Sequence, residues 1–112
     1  MKAENVVTAT RASKSGQPIM LLFDLLGRRW AMGTLWTLCK VGPCTFRKLQ
    51  EHCGSLSPTL LNTRLKELRS AGLVENTDMG YAATLEGREL YELLVPLGQW
   101  SRNWQDNAAS RE

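Results

Sequence analysis

Leucine spacing in the middle of the chain is helical. On a wheel drawn at ~100° per residue, Leu61, Leu65 and Leu68 share one side. Thr59, Asn62, Thr63, Lys66 and Ser70 share the other. The pattern predicts a helix over 57–71, capped by Ser57, with Pro58 in its first position and Gly72 after its end. A shorter helix over 46–52 precedes it, capped by Thr45, with Phe46 and Leu49 turned inward. Gly54 ends that helix, and Ser55-Leu56 makes a tight turn. Further upstream, Met20, Leu21, Leu22, Leu25 and Leu26 follow Pro18 and predict a helix stopped by Gly27. Arg28 and Arg29 open another, whose apolar face is Trp30, Leu35, Leu38 and Cys39, and Gly42-Pro43 stops it. Pro43–Cys44 reads as a short extended piece.

Downstream the period changes. Leu73–Asn76 and Tyr81–Thr84 flank Thr77-Asp78-Met79-Gly80 and predict a hairpin. Thr84 caps a last helix of roughly 85–106, with Leu90, Leu93, Leu94, Leu97, Trp100 and Trp104 as its apolar positions. Pro96 and Gly98 inside it predict a kink or a break. Residues 1–17, with Arg11 and Lys14, show no apolar period and read as a mobile tail. One domain is expected over 18–106, with a second tail at 107–112. The expected fold class is mainly α with a small β-hairpin. Two helices joined by a short turn and followed at once by a hairpin make a winged helix-turn-helix, and the hairpin is the wing.

The composition agrees with one folded domain: 112 residues, 43% hydrophobic, four of them Trp. No charge-free run approaches the ~18 residues that span a membrane. No apolar core follows Lys2, so no signal peptide is expected and the cytoplasm is the default location. Cys39, Cys44 and Cys53 are then expected as reduced thiols.

The net charge of +3 hides an asymmetry. Residues 45–72 carry +3, whereas residues 73–112 carry −4. A polyanion would therefore dock on the middle of the chain. The side chains on the polar arc of the 57–71 helix are short and mostly uncharged, with one cation, and can donate to and accept from base edges in a major groove. Thr59, Asn62, Thr63 and Lys66 are the candidate base-reading residues. Arg47, Lys48, Ser57, Arg64 and Arg69 are the candidate phosphate contacts, so that one helix reads and the other clamps. Arg64 lies near the apolar arc, from which it either reaches a phosphate or pairs inside the protein.

These residues also carry a family resemblance. The chain resembles the HxlR family of bacterial transcriptional regulators, which are winged-helix proteins. The similarity runs through Asp24-Leu25-Leu26-Gly27-Arg28-Arg29-Trp30 and Phe46-Arg47-Lys48-Leu49. It is most specific over Leu56-Ser57, Leu60-Leu61, Arg64-Leu65-Lys66-Glu67-Leu68 and Gly72-Leu73-Val74, and it ends with Tyr81, Thr84, Leu85, Gly87 and Leu90. It covers residues 18–104, approximately. The resemblance implies DNA binding as a homodimer, with the terminal helices in contact. Two departures stand out. Gln17 occupies the place where members often carry a Cys, which some use as a redox thiol. The wing is also shorter than usual, and Asp78 at its tip would repel phosphates.

Leu97, Trp100 and Trp104 have two readings: a dimer interface, or a fold-back onto the monomer's first helix. The dimer is expected, as is repression by occupancy of a pseudo-palindromic operator. The rival function is a protein-interaction module on the same scaffold, with weak or no DNA binding. No enzyme is expected, since no P-loop, Gly-x-Gly-x-x-Gly or Gly-x-Ser-x-Gly occurs. A zinc site from Cys39, Cys44, His52 and Cys53 has unconventional spacing, so no metal or cofactor is expected. The three thiols read as small buried hydrophobes or as redox groups, with Cys39 near Cys44 and Cys53 beside the reading unit. A small apolar effector is a further candidate partner, in a pocket of Trp30, Trp36, Trp100 and Trp104.

Overall fold

The computed structural model describes residues 16–111. The expected N-terminal tail falls outside them as far as residue 15. The elements are α1 (Pro18–Leu26), α2 (Ala31–Val41), α3 (Phe46–His52), α4 (Pro58–Ser70), β1 (Val74–Thr77), β2 (Gly80–Ala83) and α5 (Leu85–Arg111). α2 is the central helix, packed against α1, α3, α4, α5 and β2. Its buried face is Ala31, Thr34, Leu35 and Leu38, one side of a helix by spacing. Leu35 and Leu38 meet Leu49 of α3 and Leu61, Leu65 and Leu68 of α4, all at 1% exposure or less. Each such leucine contributes about 1.5–3 kcal/mol by leaving water.

The capping residues work as the sequence predicts. The Thr45 hydroxyl accepts from the Lys48 amide at 3.2 Å, and the Ser57 hydroxyl accepts from the Leu60 amide at 3.2 Å. Gly54 and Ser55 both take positive φ in the turn between α3 and α4. The Thr84 hydroxyl accepts from the Gly87 amide at 3.1 Å and donates to the Gly72 carbonyl at 2.6 Å. That one side chain starts α5 and ties it to the end of α4.

Three expectations change. Arg28, Arg29 and Trp30 form a turn rather than the start of α2, and Trp30 is 40% exposed instead of inward. Its φ of 71° places it in the left-handed region between α1 and α2, a conformation uncommon for a bulky residue. Its ring lies over Gly33, which leaves room for it. Second, α5 is not broken. It runs through Pro96 and continues beyond 106, through 107–111, as one helix of 27 residues. Proline removes only one helical hydrogen bond, and Gly98 lets the Trp36 ring seat directly against the backbone. Third, the hairpin turn is tighter. Thr77 and Gly80 pair with each other, so Asp78 and Met79 alone form the tip.

The extended piece at Cys44 gains a partner. Its amide donates to the Tyr81 carbonyl at 3.0 Å, and its carbonyl accepts from the Tyr81 amide at 2.8 Å. This rung ties the entrance of α3 to the wing. Among the described residues, no helix is long and apolar enough to cross a membrane.

Candidate nucleic-acid interface

α4 has one buried side and one open side. Leu61, Leu65 and Leu68 anchor it, and Thr59, Asn62, Thr63 and Lys66 are exposed on the opposite arc. At ~1.5 Å per residue its 13 residues span about 20 Å, the length of a helix laid into a major groove. The Thr63 hydroxyl donates to the Thr59 carbonyl at 3.0 Å. Its oxygen therefore remains an acceptor, while its proton is already placed. Ser57 spends its oxygen on the cap, and its hydroxyl proton is left for an anion. The positive end of the α4 dipole lies at the same corner.

The candidate phosphate-contact cations Arg47, Lys48 and Arg69 are exposed. Arg47 and Lys48 occupy the exposed first turn of α3. Arg47 approaches Glu51 only to 4.0 Å with both side chains well solvated, a contact too loose to hold it. Arg69 is exposed near the other end of α4 and lines a groove with Lys66, Ser70, Val74, Glu75 and Asn76. Glu75 and Asn76 were not among the sequence candidates. Their signal was the hairpin pairing, which folds β1 back along α4. Glu75 and Asp78 give this wing an acidic edge, which leaves the exposed cations on α3 and α4 as the candidate contacts for phosphate.

Arg64 differs from the other candidates. Its side chain is only 15% exposed, and it pairs with Glu67 at 3.0 Å. Its Nε donates to the Arg29 carbonyl at 2.6 Å. The structure therefore turns this guanidinium inward, the second of the two readings its wheel position allowed. The missed residues here are Arg28 and Glu67, and the spacing of Glu67 three residues after Arg64 was the available signal.

The cysteines are free. Burial pushes the Cys39, Cys44 and Cys53 thiols above their ordinary value of 9.0. At Cys39 the Arg88 charge opposes that rise and Glu92 adds to it. At Cys53 the Thr37 and Thr34 hydroxyls oppose it. The Thr34 hydroxyl is wholly buried and makes no hydrogen bond of good geometry among the described residues; it faces the weakly accepting Cys53 sulfur. At Cys44 the neighbouring Cys53 adds to the rise. Raised thiols hold little thiolate at neutral pH and react slowly. Alkylation of the native protein by iodoacetamide is expected to be slow at pH 7 and to accelerate as pH rises past about 9. One thiol reacting fast at pH 7 would instead mark it as a redox group. Among the described residues, no three His, Cys, Asp or Glu side chains gather to share a metal ion.

The four tryptophans do not form one pocket. Trp36 lines a concavity of about 280 Å³ with Met32, Gly33, Leu94, Leu97, Gly98 and Ser101, between α2 and α5. Trp30 sits in its turn, and Trp100 and Trp104 stack on each other at 6.0 Å on the open side of α5. They do not fold back onto α1; they are 58% and 53% exposed.

Known proteins share this arrangement. The chain is 27% identical over 97 residues to the uncharacterized HTH-type transcriptional regulator BH0655 of Halalkalibacterium halodurans, covering 80% of this chain and 86% of that one. It is 25% identical over 101 residues to the uncharacterized HTH-type transcriptional regulator YybR of Bacillus subtilis, covering 84% and 80%. Among solved structures, a possible HxlR family transcriptional factor from Thermoplasma volcanium GSS1 superposes with a TM-score of 0.71 at 27% identity, over 81% of this chain and 87% of that one. Quinone-bound YodB from B. subtilis superposes with a TM-score of 0.67 at 30% identity, over 78% and 98%. The family model for the HxlR-like helix-turn-helix matches residues 25–109, which includes α4, the wing and nearly all of α5. With the fold, the open polar arc of α4 and this match in agreement, the chain belongs to the HxlR-like helix-turn-helix family of transcriptional regulators.

Proposed function

We propose that the protein is a homodimeric repressor that reads a pseudo-palindromic operator in double-stranded DNA. The observation that carries this reading is the row of Thr59, Asn62, Thr63 and Lys66, exposed along α4 opposite three buried leucines. Arg47, Lys48, Ser57 and Arg69 supply the phosphate contacts around it. Leu97, Trp100 and Trp104 supply the dimer contact, which sets the two reading helices one DNA turn apart, ~34–36 Å. A small flat apolar effector would seat in the concavity beside Trp36. The quinone carried by the YodB structure favours that class of ligand.

Titration of duplex DNA across a salt series tests the reading. The logarithm of affinity is expected to fall linearly with the logarithm of salt. Lys66→Ala is expected to cost ~1–3 kcal/mol on the operator and to relax preference at one base pair. Lys48→Ala is expected to weaken all sequences alike and to lower the salt slope by about one. If Lys66→Ala changes neither affinity nor preference, α4 does not read bases. A dimer that binds no DNA even at low salt would favour the second reading, a protein-interaction module. The acidic edge formed by Glu75 and Asp78 is the observation on its side.

A further inference from the structure

Arg64, Glu67 and Arg28 form a connected set that the DNA contacts leave unused. Arg64 of α4 donates from Nε to the Arg29 carbonyl at 2.6 Å and from Nη1 to Glu67 Oε1 at 3.0 Å. The other Glu67 oxygen takes Arg28 Nη1 at 2.9 Å. Arg28 Nη2 stands 3.7 Å from Asp24 of α1. The chain of contacts therefore runs from α1, through the turn that follows it, to the middle of α4. The charges alternate, two guanidinium groups with two carboxylates. The Arg64 and Glu67 side chains are 15% and 21% exposed, so solvent screens them less than the loose Arg47–Glu51 pair. Arginine suits this place because its planar fork serves a carbonyl and a carboxylate at once.

We propose that Arg64 and Glu67 are positioning residues for sequence reading: they fix the roll of α4 about its own axis by tying it to the α1–α2 turn. The inference rests on the reading of α4 as the base-reading helix. Leu61, Leu65 and Leu68 lie in one narrow apolar stripe along α4, which resists a small roll about the helix axis less than a contact held out to one side does. Side-chain tips lie roughly 5–6 Å from a helix axis, so a roll of about 10° moves them by about 1 Å. That displacement breaks base-edge hydrogen bonds and leaves phosphate contacts in reach. The Trp30 turn is part of the device. Its left-handed residue presents the Arg29 carbonyl to Arg64. α1, at the other end of the chain of contacts, also carries exposed Ile19, Met20 and Phe23.

The test compares the full chain with Glu67→Gln and Arg64→Lys. The probes are the duplex that the wild-type protein selects from a random pool and a random-sequence duplex of equal length. In both variants the preference for the selected duplex is expected to fall at least tenfold, with the salt slope on random DNA unchanged. A preserved preference overturns the proposal. So does an equal loss on both duplexes, with a slope lower by about one, in the charge-removing variant Arg64→Gln, which would make Arg64 a phosphate contact after all. A second measurement needs no DNA. Arg28→Ala and Glu67→Ala, singly and together, are expected to shift the thermal midpoint non-additively, the double variant losing little more than either single one. Additive shifts overturn the tie. A wild-type protein that shows no sequence preference, with the thermal shifts still coupled, overturns the reading of α4 and leaves the tie as a purely structural contact.

Discussion

Replacing Trp100 and Trp104 together by serine is expected to convert the proposed dimer to a monomer and to cost about a hundredfold or more in affinity for the proposed operator. The magnitude follows from linkage of two half-sites: avidity adds roughly 10²–10⁴ over a single module when geometry allows both to engage. The structural ground is an apolar stripe that the monomer does not use. Leu93, Leu97, Trp100 and Trp104 follow one another at helical spacing along α5, with exposures of 75%, 55%, 58% and 53%. The two indoles stack nearly parallel, 12° between planes, and so form one continuous apolar patch. Buried tryptophans dominate interface energetics because each removes ~150–250 Å² from water at low entropic cost. Neither side chain belongs to the core cluster, so the helical signal in circular dichroism should survive. Light scattering then reads the mass, and titration reads the affinity. A variant that remains a dimer, or a wild-type protein that is monomeric at micromolar concentration, removes the stripe from the interface.

Gly80→Ala is expected to destabilise the fold by about 3 kcal/mol and to detach the wing from α3. Two costs combine. Gly80 has a φ of 107°, which side chains rarely adopt, and residues held in such conformations cost ~1–3 kcal/mol. A Cβ there would also lie 2.3 Å from the Cys44 carbonyl oxygen and 2.5 Å from its carbon. These are backbone atoms and cannot swing aside. Relief requires opening the Cys44–Tyr81 rung, whose two hydrogen bonds are each worth about 0.5–1.5 kcal/mol. The thermal midpoint should drop by roughly 10 °C or more. Gly54→Ala is the control, with φ 78° but open space around the added methyl group, and should cost about 1 kcal/mol. If Gly80→Ala costs no more than the control, the rung is not what seats the wing.

Much of the architecture was legible without coordinates, and for local reasons. Thr45, Ser57 and Thr84 cap the helices that they precede, because a hydroxyl at that place reaches an amide two or three residues on. Leu61, Leu65 and Leu68 are buried because helical spacing puts them on one side. The open arc of α4 follows from the same geometry. The wing was legible as a hairpin, but its turn was read two residues too wide. Pairing of Thr77 with Gly80 depends on strand register, which composition leaves loose.

The sequence by itself determined the order and type of the elements, their caps, the inward leucines and the polar face of α4. Each of those depends on residues within a few places of one another, where backbone geometry fixes who meets whom. The tertiary structure alone decided the inward turn of Arg64, the left-handed Trp30, the pairing of Cys44 with Tyr81, the continuity of α5 through Pro96 and the exposure of Trp100 and Trp104. These depend on how whole elements cross. Arg64 and Arg29 are 35 residues apart, and their contact exists only because α4 lies against the α1–α2 turn at one angle. That angle is the sum of many small packing terms, each below the size of a single cap or leucine.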